Sequence, residues 1–160
     1  MGLKKYFDRY LQEFDQSTRP VWNYEDGCVL LGAQYFHEVT RQPFYKNIII
    51  HFMERYIDEE GNIRYYDPKE YNVDKLTNGR VLFFLYKETK NEKYKKALDL
   101  LMSQIQEHPR TSFGSFWHKQ IYPYQVWLDG LYMAMPLYLE YETLFNNKQN
   151  YNDIIAQFKH

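Results

Sequence analysis

The residues best suited to chemistry lie in one stretch, Trp117–Met133, which reads WHKQIYPYQVWLDGLYM. It places His118, Trp127 and Asp129 immediately before a long apolar segment. A carboxylate among aromatic rings at the start of a buried helix is costly, because burial removes the charge from water. Such a cost indicates a functional role for Asp129.

A second carboxylate, Asp74, precedes another apolar run. Two carboxylates in different surroundings are what acid–base chemistry on a sugar requires, with the more buried one kept protonated near neutral pH. For Asp129, the positive end of the helix dipole opposes protonation by stabilising the anion. Desolvation by Trp127 and repulsion from Asp74 must outweigh the dipole if Asp129 is the proton donor.

Structural roles for the same residues remain open. An aspartate at a helix start is a common N-cap, so Asp74 and Asp129 could each be caps. Trp22 and Trp127 could be packing residues or platforms for a sugar ring. A structural role is also open for His118, and solvated positions are expected for two cations, Lys119 and Arg110.

The elements that must position these residues are helical hairpins. The spacing of apolar residues predicts an amphipathic helix over Leu3–Phe14, which Pro20 prevents from continuing. Three pairs of an apolar inner helix and an amphipathic outer helix follow. The first two pairs share a joint, Thr40–Lys46 and Thr89–Lys95, offset by 49 residues, and the third pair begins at Tyr124.

Hairpins repeated at this period stack on one another, because a single hairpin cannot bury its own apolar face. Inner helices that are apolar nearly all round favour a closed ring over an open solenoid. No Pro-, Gly- or Ser-rich linker divides the 160 residues. We therefore predict an all-α fold, an α/α toroid, with residues 1–160 in a single domain.

Each inner helix is preceded by a polar and aromatic lead-in, at residues 22–27, 74–79 and 127–130. If the inner helices run parallel around an axis, the lead-ins meet at one mouth of the ring. A glycine in each lead-in allows close backbone approach there. The pattern thus predicts one pocket that contains Asp74 and Asp129 and is bordered by Trp22, Tyr24, Trp127 and His118.

Composition excludes several classes of function. The formal net charge of −1 argues against nucleic acid as a partner. The basic run Lys87–Lys96 is interpreted as the solvated face of a helix. No apolar run is long enough to cross a membrane and no leader is recognisable, so no membrane partner and a cytoplasmic location are expected. The 17 tyrosines suit a lined cleft, of the kind that binds carbohydrate.

Metal and cofactor chemistry is not predicted. The five histidines are scattered, with none paired at the spacing of metal ligands. No nucleotide-binding or nucleophile motif is present. The single cysteine, Cys28, lies in the apolar sequence GCVLLGA and is expected to be a small core residue.

Several segments together resemble a known family. They are Trp22-Asn-Tyr24 with Gly27, Asp74 followed by Asn78-Gly79-Arg80 and LFFLYKET, and HPRTSFGSFWHKQIYPYQVWLDGLYMAMP. From Trp22 onward the chain resembles the unsaturated rhamnogalacturonyl hydrolases of glycoside hydrolase family 105, which are relatives of the unsaturated glucuronyl hydrolases.

The resemblance implies an (α/α)6 barrel of six hairpins. It also implies a substrate with a 4,5-unsaturated galacturonyl group at its non-reducing end, as polysaccharide lyases leave on pectin. The implied reaction is hydration of an enol ether: a proton adds to C4, water adds to C5, and the hemiketal opens and releases the next sugar. By motif, the general acid/base is Asp129 of WLDG and the second carboxylate is Asp74, with substrate contacts from His118 and Trp127 and a lining of Tyr24 and Trp22.

The chain departs from the family pattern because it contains three of the six hairpins. We expect about half of an (α/α)6 barrel, with part of the substrate grip absent and the sides of its apolar helices uncovered. Either the sequence is part of a longer protein, or two copies form a homo-oligomer that covers these sides.

Two other functions remain open. One is a non-catalytic helical-repeat module whose Tyr-rich cleft binds sugar or a partner protein. The other is a different toroid enzyme, such as a sugar epimerase, which would need paired histidines that the sequence lacks.

Overall fold

The computed structural model describes residues 2–17 and 19–159, so Met1, Thr18 and His160 lie outside the described residues. Over the described part of the chain there are seven α-helices, two 3-10 helices and no β-strand. The α-helices are α1 (Leu3–Gln16), α2 (Tyr24–Thr40), α3 (Pro43–Glu54), α4 (Arg80–Thr89), α5 (Glu92–Glu107), α6 (Leu128–Phe145) and α7 (Tyr151–Gln157). The 3-10 helices are Pro68–Glu70 and Val73–Gly79, and the second is called the 3-10 lead-in below.

These helices form an N-terminal helix and three hairpins, which confirms the predicted all-α fold. In each hairpin an inner helix (α2, α4 or α6) is followed by an outer one (α3, α5 or α7). The inner helices supply much of the core, with five buried residues in α4 and six in each of α2 and α6, although α2 and α6 also carry exposed apolar residues. The 3-10 lead-in precedes α4 and packs against α2 and α6.

The first two hairpins turn in the same way, as their shared sequence predicts. In each joint a threonine hydroxyl donates to the carbonyl four residues earlier, at 2.6 Å for Thr40 and 2.7 Å for Thr89. The next residue, Arg41 or Lys90, adopts the left-handed conformation with φ of 57°. The repeated threonine and turn geometry end both inner helices and start both outer ones.

The N-cap residues of α2, the 3-10 lead-in and α6 show whether Asp74 and Asp129 are caps. Asn23 accepts from the amide of Tyr24 at the start of α2, and Asn72 accepts from the amide of Asp74 in the 3-10 lead-in. At the start of α6 the N-cap position is occupied by Trp127. Asp74 and Asp129 therefore lie in the first turns of their elements but are not caps, and the capping interpretation of both is wrong.

Two glycines let the 3-10 lead-in approach its neighbours closely. A Cβ atom on Gly27 of α2 would lie 3.0 Å from backbone atoms of Asn78. A Cβ atom on Gly79 would meet the side chains of Leu101 and Leu137. The lead-in is thus held between α2 on one side and α5 and α6 on the other, and this fixes the position of Asp74.

Two edges of the stacked hairpins are apolar and exposed. On α2, Cys28 is exposed along with Tyr35 and Val39, which lie on the same face of the helix. The expectation that Cys28 is a core residue is wrong, because it faces this edge rather than α3 or α4. The other edge is a groove of about 530 Å³ on α6 and α7, lined by Leu128, Leu131, Tyr132, Met135, Pro136, Leu139, Ile154 and Phe158.

No helix within the described residues is long and apolar enough to span a membrane.

Candidate active site

Asp74 forms the buried side of the site. It lies in the first turn of the 3-10 lead-in and is 7% exposed. The side chain of Asn72 accepts a hydrogen bond from its amide at 3.1 Å. Because the lead-in is packed between α2 and α6, the carboxylate is held in one place by its backbone.

His118 reaches the same place from the loop between α5 and α6. Its amide donates to the carbonyl of Gln125 at 2.7 Å, and its carbonyl accepts from the amide of Val73 at 3.2 Å. The side chain is 1% exposed, and its Nε2 lies 3.3 Å from Oδ1 of Asp74. A Cβ atom on Gly130 would lie 3.3 Å from Nδ1 of His118, so the small residue leaves room for the ring.

Asp129 completes the group from the first turn of α6. One polar atom from each of Asp74, His118 and Asp129 lies within 4.8 Å of the other two. The three residues come from different lead-ins and one loop, as the predicted mouth of the ring requires. The expected order of burial is wrong, however, because Asp74 is the buried carboxylate and Asp129 is exposed.

Two cations that were expected to be solvated form ion pairs. Nζ of Lys119 lies 2.7 Å from Oδ2 of Asp74. Arg110 makes two hydrogen bonds to Asp153 of α7, at 2.6 and 2.8 Å. The first pair places a positive charge inside the site, and the second fixes the loop that carries His118 against α7.

The ring of Trp127 covers His118. Their centroids are 4.1 Å apart with planes at 14°, and Tyr122 stacks on Trp127 at 5.5 Å and 19°. Nε1 of Trp127 donates to Oε1 of Gln125 at 3.0 Å. Trp127 remains 40% exposed, so it both holds the His118 ring and faces solvent.

The remaining two aromatic candidates differ in their positions. Trp22 is 0% exposed, and its Nε1 donates to the carbonyl of Lys75 at 2.8 Å. It packs beside Tyr56, so the prediction that Trp22 lines the site is wrong and the packing interpretation holds. Tyr24 is half-buried at the first position of α2, and its role stays a prediction.

The buried side of the site carries polar atoms without partners. Oδ1 of Asp74 and both ring nitrogens of His118 have no hydrogen-bond partner among the described residues. The 3.3 Å approach of Nε2 to Oδ1 is therefore a close electrostatic contact without hydrogen-bond geometry. Since buried polar groups nearly always have partners, these atoms are expected to bind a polar ligand or water.

Burial determines the charge of the imidazole. Desolvation lowers the pKa of His118; Asp74 and Asp129 oppose this, and Lys119 adds to the lowering. The neutral ring is favoured, and in it one nitrogen donates a hydrogen bond while the other accepts one. His118 can therefore offer either a donor or an acceptor to a sugar hydroxyl.

The same three side chains could offer one ligand atom each to a cation, although no metal site was predicted from the sequence. A His and two carboxylates are suitable donors. The ammonium of Lys119, at 2.7 Å from Asp74, already supplies a positive charge to this carboxylate. This fixed charge opposes a divalent cation beside it, so we assign the electrostatic partner of Asp74 to Lys119.

Comparison with known proteins shows the family of the chain. The model of glycosyl hydrolase family 88 matches residues 3–160. The chain belongs to this family. It is also similar to the solved structure of a glycoside hydrolase from family 105 of C. acetobutylicum ATCC 824, with 41% sequence identity and a TM-score of 0.91. That match covers 99% of this chain and 44% of the other, so the family 88 chain spans less than half the length of that protein.

The family relationship predicted from the sequence is confirmed, as is the toroid-type helical fold. Sequence reasoning missed Lys119 because nothing in the spacing of a single lysine indicates its partner. Its position next to His118, within the stretch already selected, was the one available signal. The roles of Asp129, Asp74, His118, Trp127 and Tyr24 stay predictions.

Proposed function

We propose that this chain carries the catalytic centre of a hydrolase that removes a 4,5-unsaturated galacturonyl residue from oligosaccharides derived from rhamnogalacturonan. The observation that supports this most directly is the convergence of Asp129 with the buried, unpartnered atoms of Asp74 and His118. Membership of a glycoside hydrolase family supports a sugar substrate. A cytoplasmic location stays a prediction from the sequence.

Asp129 is the proposed proton donor. It is the carboxyl group on the solvent side of the site, where a sugar ring can approach it. In the proposed reaction its proton adds to C4 of the unsaturated sugar and water adds to C5. The hemiketal then opens by breaking the bond between C5 and the ring oxygen, which leaves a ketone at C5 and a hemiacetal at C1. Collapse of this hemiacetal to an aldehyde releases the next sugar as an alcohol. Asp129 accepts a proton from the attacking water and so returns to its acid form.

Asp74 and His118 are proposed to hold the substrate and the attacking water. Lys119 neutralises one oxygen of Asp74, and this leaves Oδ1 free to accept a hydrogen bond. Nε2 of His118 beside it can donate one in the neutral ring. Two matched groups at 3.3 Å could orient a hydroxyl or a water molecule at the reacting carbons. Trp127 and Tyr24 are proposed substrate contacts.

The catalytic form is proposed to need cover over the groove of α6 and α7. Leu128, next to Asp129, is 85% exposed, and the groove continues to Phe158 at 61%. An uncovered apolar surface of this kind favours association. For the isolated chain, we propose that a second copy covers it and completes the surroundings of Asp129.

The test is an activity assay of wild type and Asp129→Asn, with Glu60→Gln as an exposed carboxyl control. A disaccharide of unsaturated galacturonic acid and rhamnose is the substrate, and consumption is followed by the ultraviolet absorbance of the conjugated double bond. We expect Asp129→Asn to lower kcat/KM by ~10²–10⁴-fold, the usual size of a lost general acid. Glu60→Gln should match wild type. Equal rates for Asp129→Asn and wild type would contradict the proposal.

A binding module is the second candidate, and the exposed groove beside the site favours it. In that case the assembled wild-type protein binds the unsaturated disaccharide without consuming it. Isothermal titration on the sample used for the assay separates the two functions, since only the enzyme gives both a binding signal and loss of absorbance.

A further inference from the structure

A buried polar network lies behind the site, at the C-terminal end of α5. Its two members are Gln104, which is 1% exposed, and His108, which is 4% exposed. They lie one helical turn apart, so their side chains share a face of the helix. Two polar side chains in a core are costly unless each makes hydrogen bonds, and the bonds that these residues make lead to both buried residues of the site.

Gln104 holds the segment of Asp74. Its Nε2 donates to the carbonyl of Asn72 at 3.1 Å, and the side chain of Asn72 in turn accepts from the amide of Asp74. Its Oε1 accepts from the hydroxyl of Tyr66 at 2.9 Å. Both ends of the Gln104 amide are thus used, which leaves the side chain one orientation.

His108 holds the segment of His118. Its Nε2 lies 2.8 Å from the carbonyl of Trp117, the residue immediately before His118. Since a carbonyl only accepts, Nε2 must carry the hydrogen. The amide of Trp117 donates to the carbonyl of Pro109 at 3.0 Å, so the chain on both sides of the Trp117 α-carbon is fixed to the end of α5.

The two residues also contact each other. With Nε2 protonated, Nδ1 of His108 is an acceptor, and Nε2 of Gln104 approaches it at 3.4 Å. Burial lowers the pKa of His108 to about 4, which keeps the ring neutral around pH 7 and preserves this arrangement. The rings of Tyr71 and Phe116 pack on the imidazole. The network is therefore a single rigid connection between two segments that are distant in sequence.

The backbone pairing between the segment of Asp74 and the segment of His118 is short, and by itself it holds them weakly. The amide of Val73 donates to the carbonyl of His118, and the amide of Gln120 donates to the carbonyl of Tyr71, each at 3.2 Å. The two segments pair only at an isolated bridge, between Asn72 and Lys119, and not as strands. So short a pairing does not specify its register strongly.

We propose that Gln104 and His108 are positioning residues of the active site, which set the 3.3 Å separation between Asp74 and His118. The catalytic value of that separation rests on the proposed function, whereas the positioning itself is a property of the free protein. The network does not contact Asp74 or His118 directly. It acts on Asp74 through Asn72 and on His118 through Trp117.

The experiment compares His108→Phe, which keeps a ring but removes the Nε2 donor, with His108→Gln, whose amide nitrogen can replace Nε2. Gln106→Ala, an exposed glutamine on the same helix, is the control. NMR of the 160-residue chain without substrate gives two readouts. The first is the ring-current shift that Trp127 produces on the His118 ring protons. The second is hydrogen-exchange protection of the Val73 amide, with Met53 of α3 as a remote reference.

In His108→Phe we expect the ring-current shift to be lost and Val73 protection to fall by about tenfold relative to Met53, the effect of one lost buried hydrogen bond. His108→Gln and Gln106→Ala should keep both signals. An unchanged His118 shift in His108→Phe would overturn the proposal. So would an equal loss of protection at Val73 and Met53, because that pattern indicates a general loss of stability.

If His108→Phe does not fold, Gln104→Met takes its place. Methionine keeps a side chain of similar length but has no hydrogen to donate to Asn72. We expect the same selective loss at Val73, and an unchanged Val73 amide would contradict the role of Gln104. Since no readout involves turnover, an inactive wild-type protein would reject the proposed function and leave these results standing.

Discussion

The two sides of the site differ in how they are held. Asp74 and His118 are buried, and their segments are fixed by the hydrogen bonds of Asn72 and His108 and by packing of the lead-in against α2 and α6. Asp129 and Trp127 lie at the N-terminal end of α6, where they are exposed to solvent and next to an apolar groove. One side is complete within this chain, whereas the other borders a surface that another group of helices could cover. Asp74 and His118 are thus held in place by this chain itself, whereas the surroundings of Asp129, the proposed proton donor, are left open to solvent.

The difference predicts that changes on the buried side alter the stability of the chain. Changes on the exposed side should alter activity or association instead.

The largest expected effect is the loss of stability at low pH that the buried His108 causes. Its pKa is lowered from 6.5 to about 4 by burial, so the folded state resists protonation. Stability from this group is present above pH 6.5 and is lost as the pH falls towards 4. The loss approaches ~3 kcal/mol, since each pH unit is worth 1.36 kcal/mol.

Urea unfolding at pH 7 and pH 4.5 measures this loss, and His108→Gln is the comparison because glutamine does not titrate. We expect the variant to lose ~2–3 kcal/mol less than wild type between the two pH values. His118, whose pKa is also lowered, titrates in both proteins and cancels in the difference. The same pH dependence in both would show that His108 is accessible to water.

The next effect concerns the packing of the 3-10 lead-in. Gly27→Ala places a methyl group 3.0 Å from the backbone of Asn78 and should destabilise the chain by ~1–3 kcal/mol, the usual result of overpacking. Gly32 lies on the same helix with nothing within 4 Å of its added Cβ atom. Gly32→Ala should stabilise by ~0.5–1 kcal/mol through helix propensity. Thermal unfolding of both variants is the measurement, and destabilisation by both would assign the effect to the helix rather than to the lead-in.

A smaller loss is expected when the positive partner of Asp74 is removed. Lys119→Met leaves the Asp74 side chain, 11% exposed, without its ammonium, and should cost ~1–2 kcal/mol after allowance for partial solvent access. Lys46→Met is the matched control, because the pair between Lys46 and Glu88 lies at 3.2 Å with about a third of each side chain exposed. Such a surface pair is worth less than ~1 kcal/mol. Equal losses in urea unfolding would mean that the Asp74 side is as hydrated as the surface.

The smallest effect on stability is expected on the exposed side. Leu128→Ser should change the free energy of unfolding by less than ~0.5 kcal/mol, because the residue is 85% exposed. It should weaken self-association, which sedimentation equilibrium measures over a range of concentrations. Leu137→Ser, at a fully buried position on the same helix, should cost several times more. A wild-type chain that stays monomeric at all concentrations would reject the proposal that a second copy covers this groove.

Local pattern was enough to predict the helices, the hairpins and their joints. Apolar spacing defines a helix face, and the sequence shared by the two joints ends both inner helices in the same way, at Thr40 and Thr89. The grouping of Asp74 with Asp129 also followed from the repeat, because equivalent lead-ins occupy equivalent positions.

The tertiary structure alone decided burial and partners. It placed Trp22 in the core, exposed Asp129 and Cys28, and paired Lys119 with Asp74. It also connected Gln104 and His108 to segments far away in the chain. The physical reason is the range of the interactions: helix and turn preferences act over a few residues. The burial of a carboxylate and the partner of a lysine depend on which distant segments meet around them, and a period in the sequence does not contain that information.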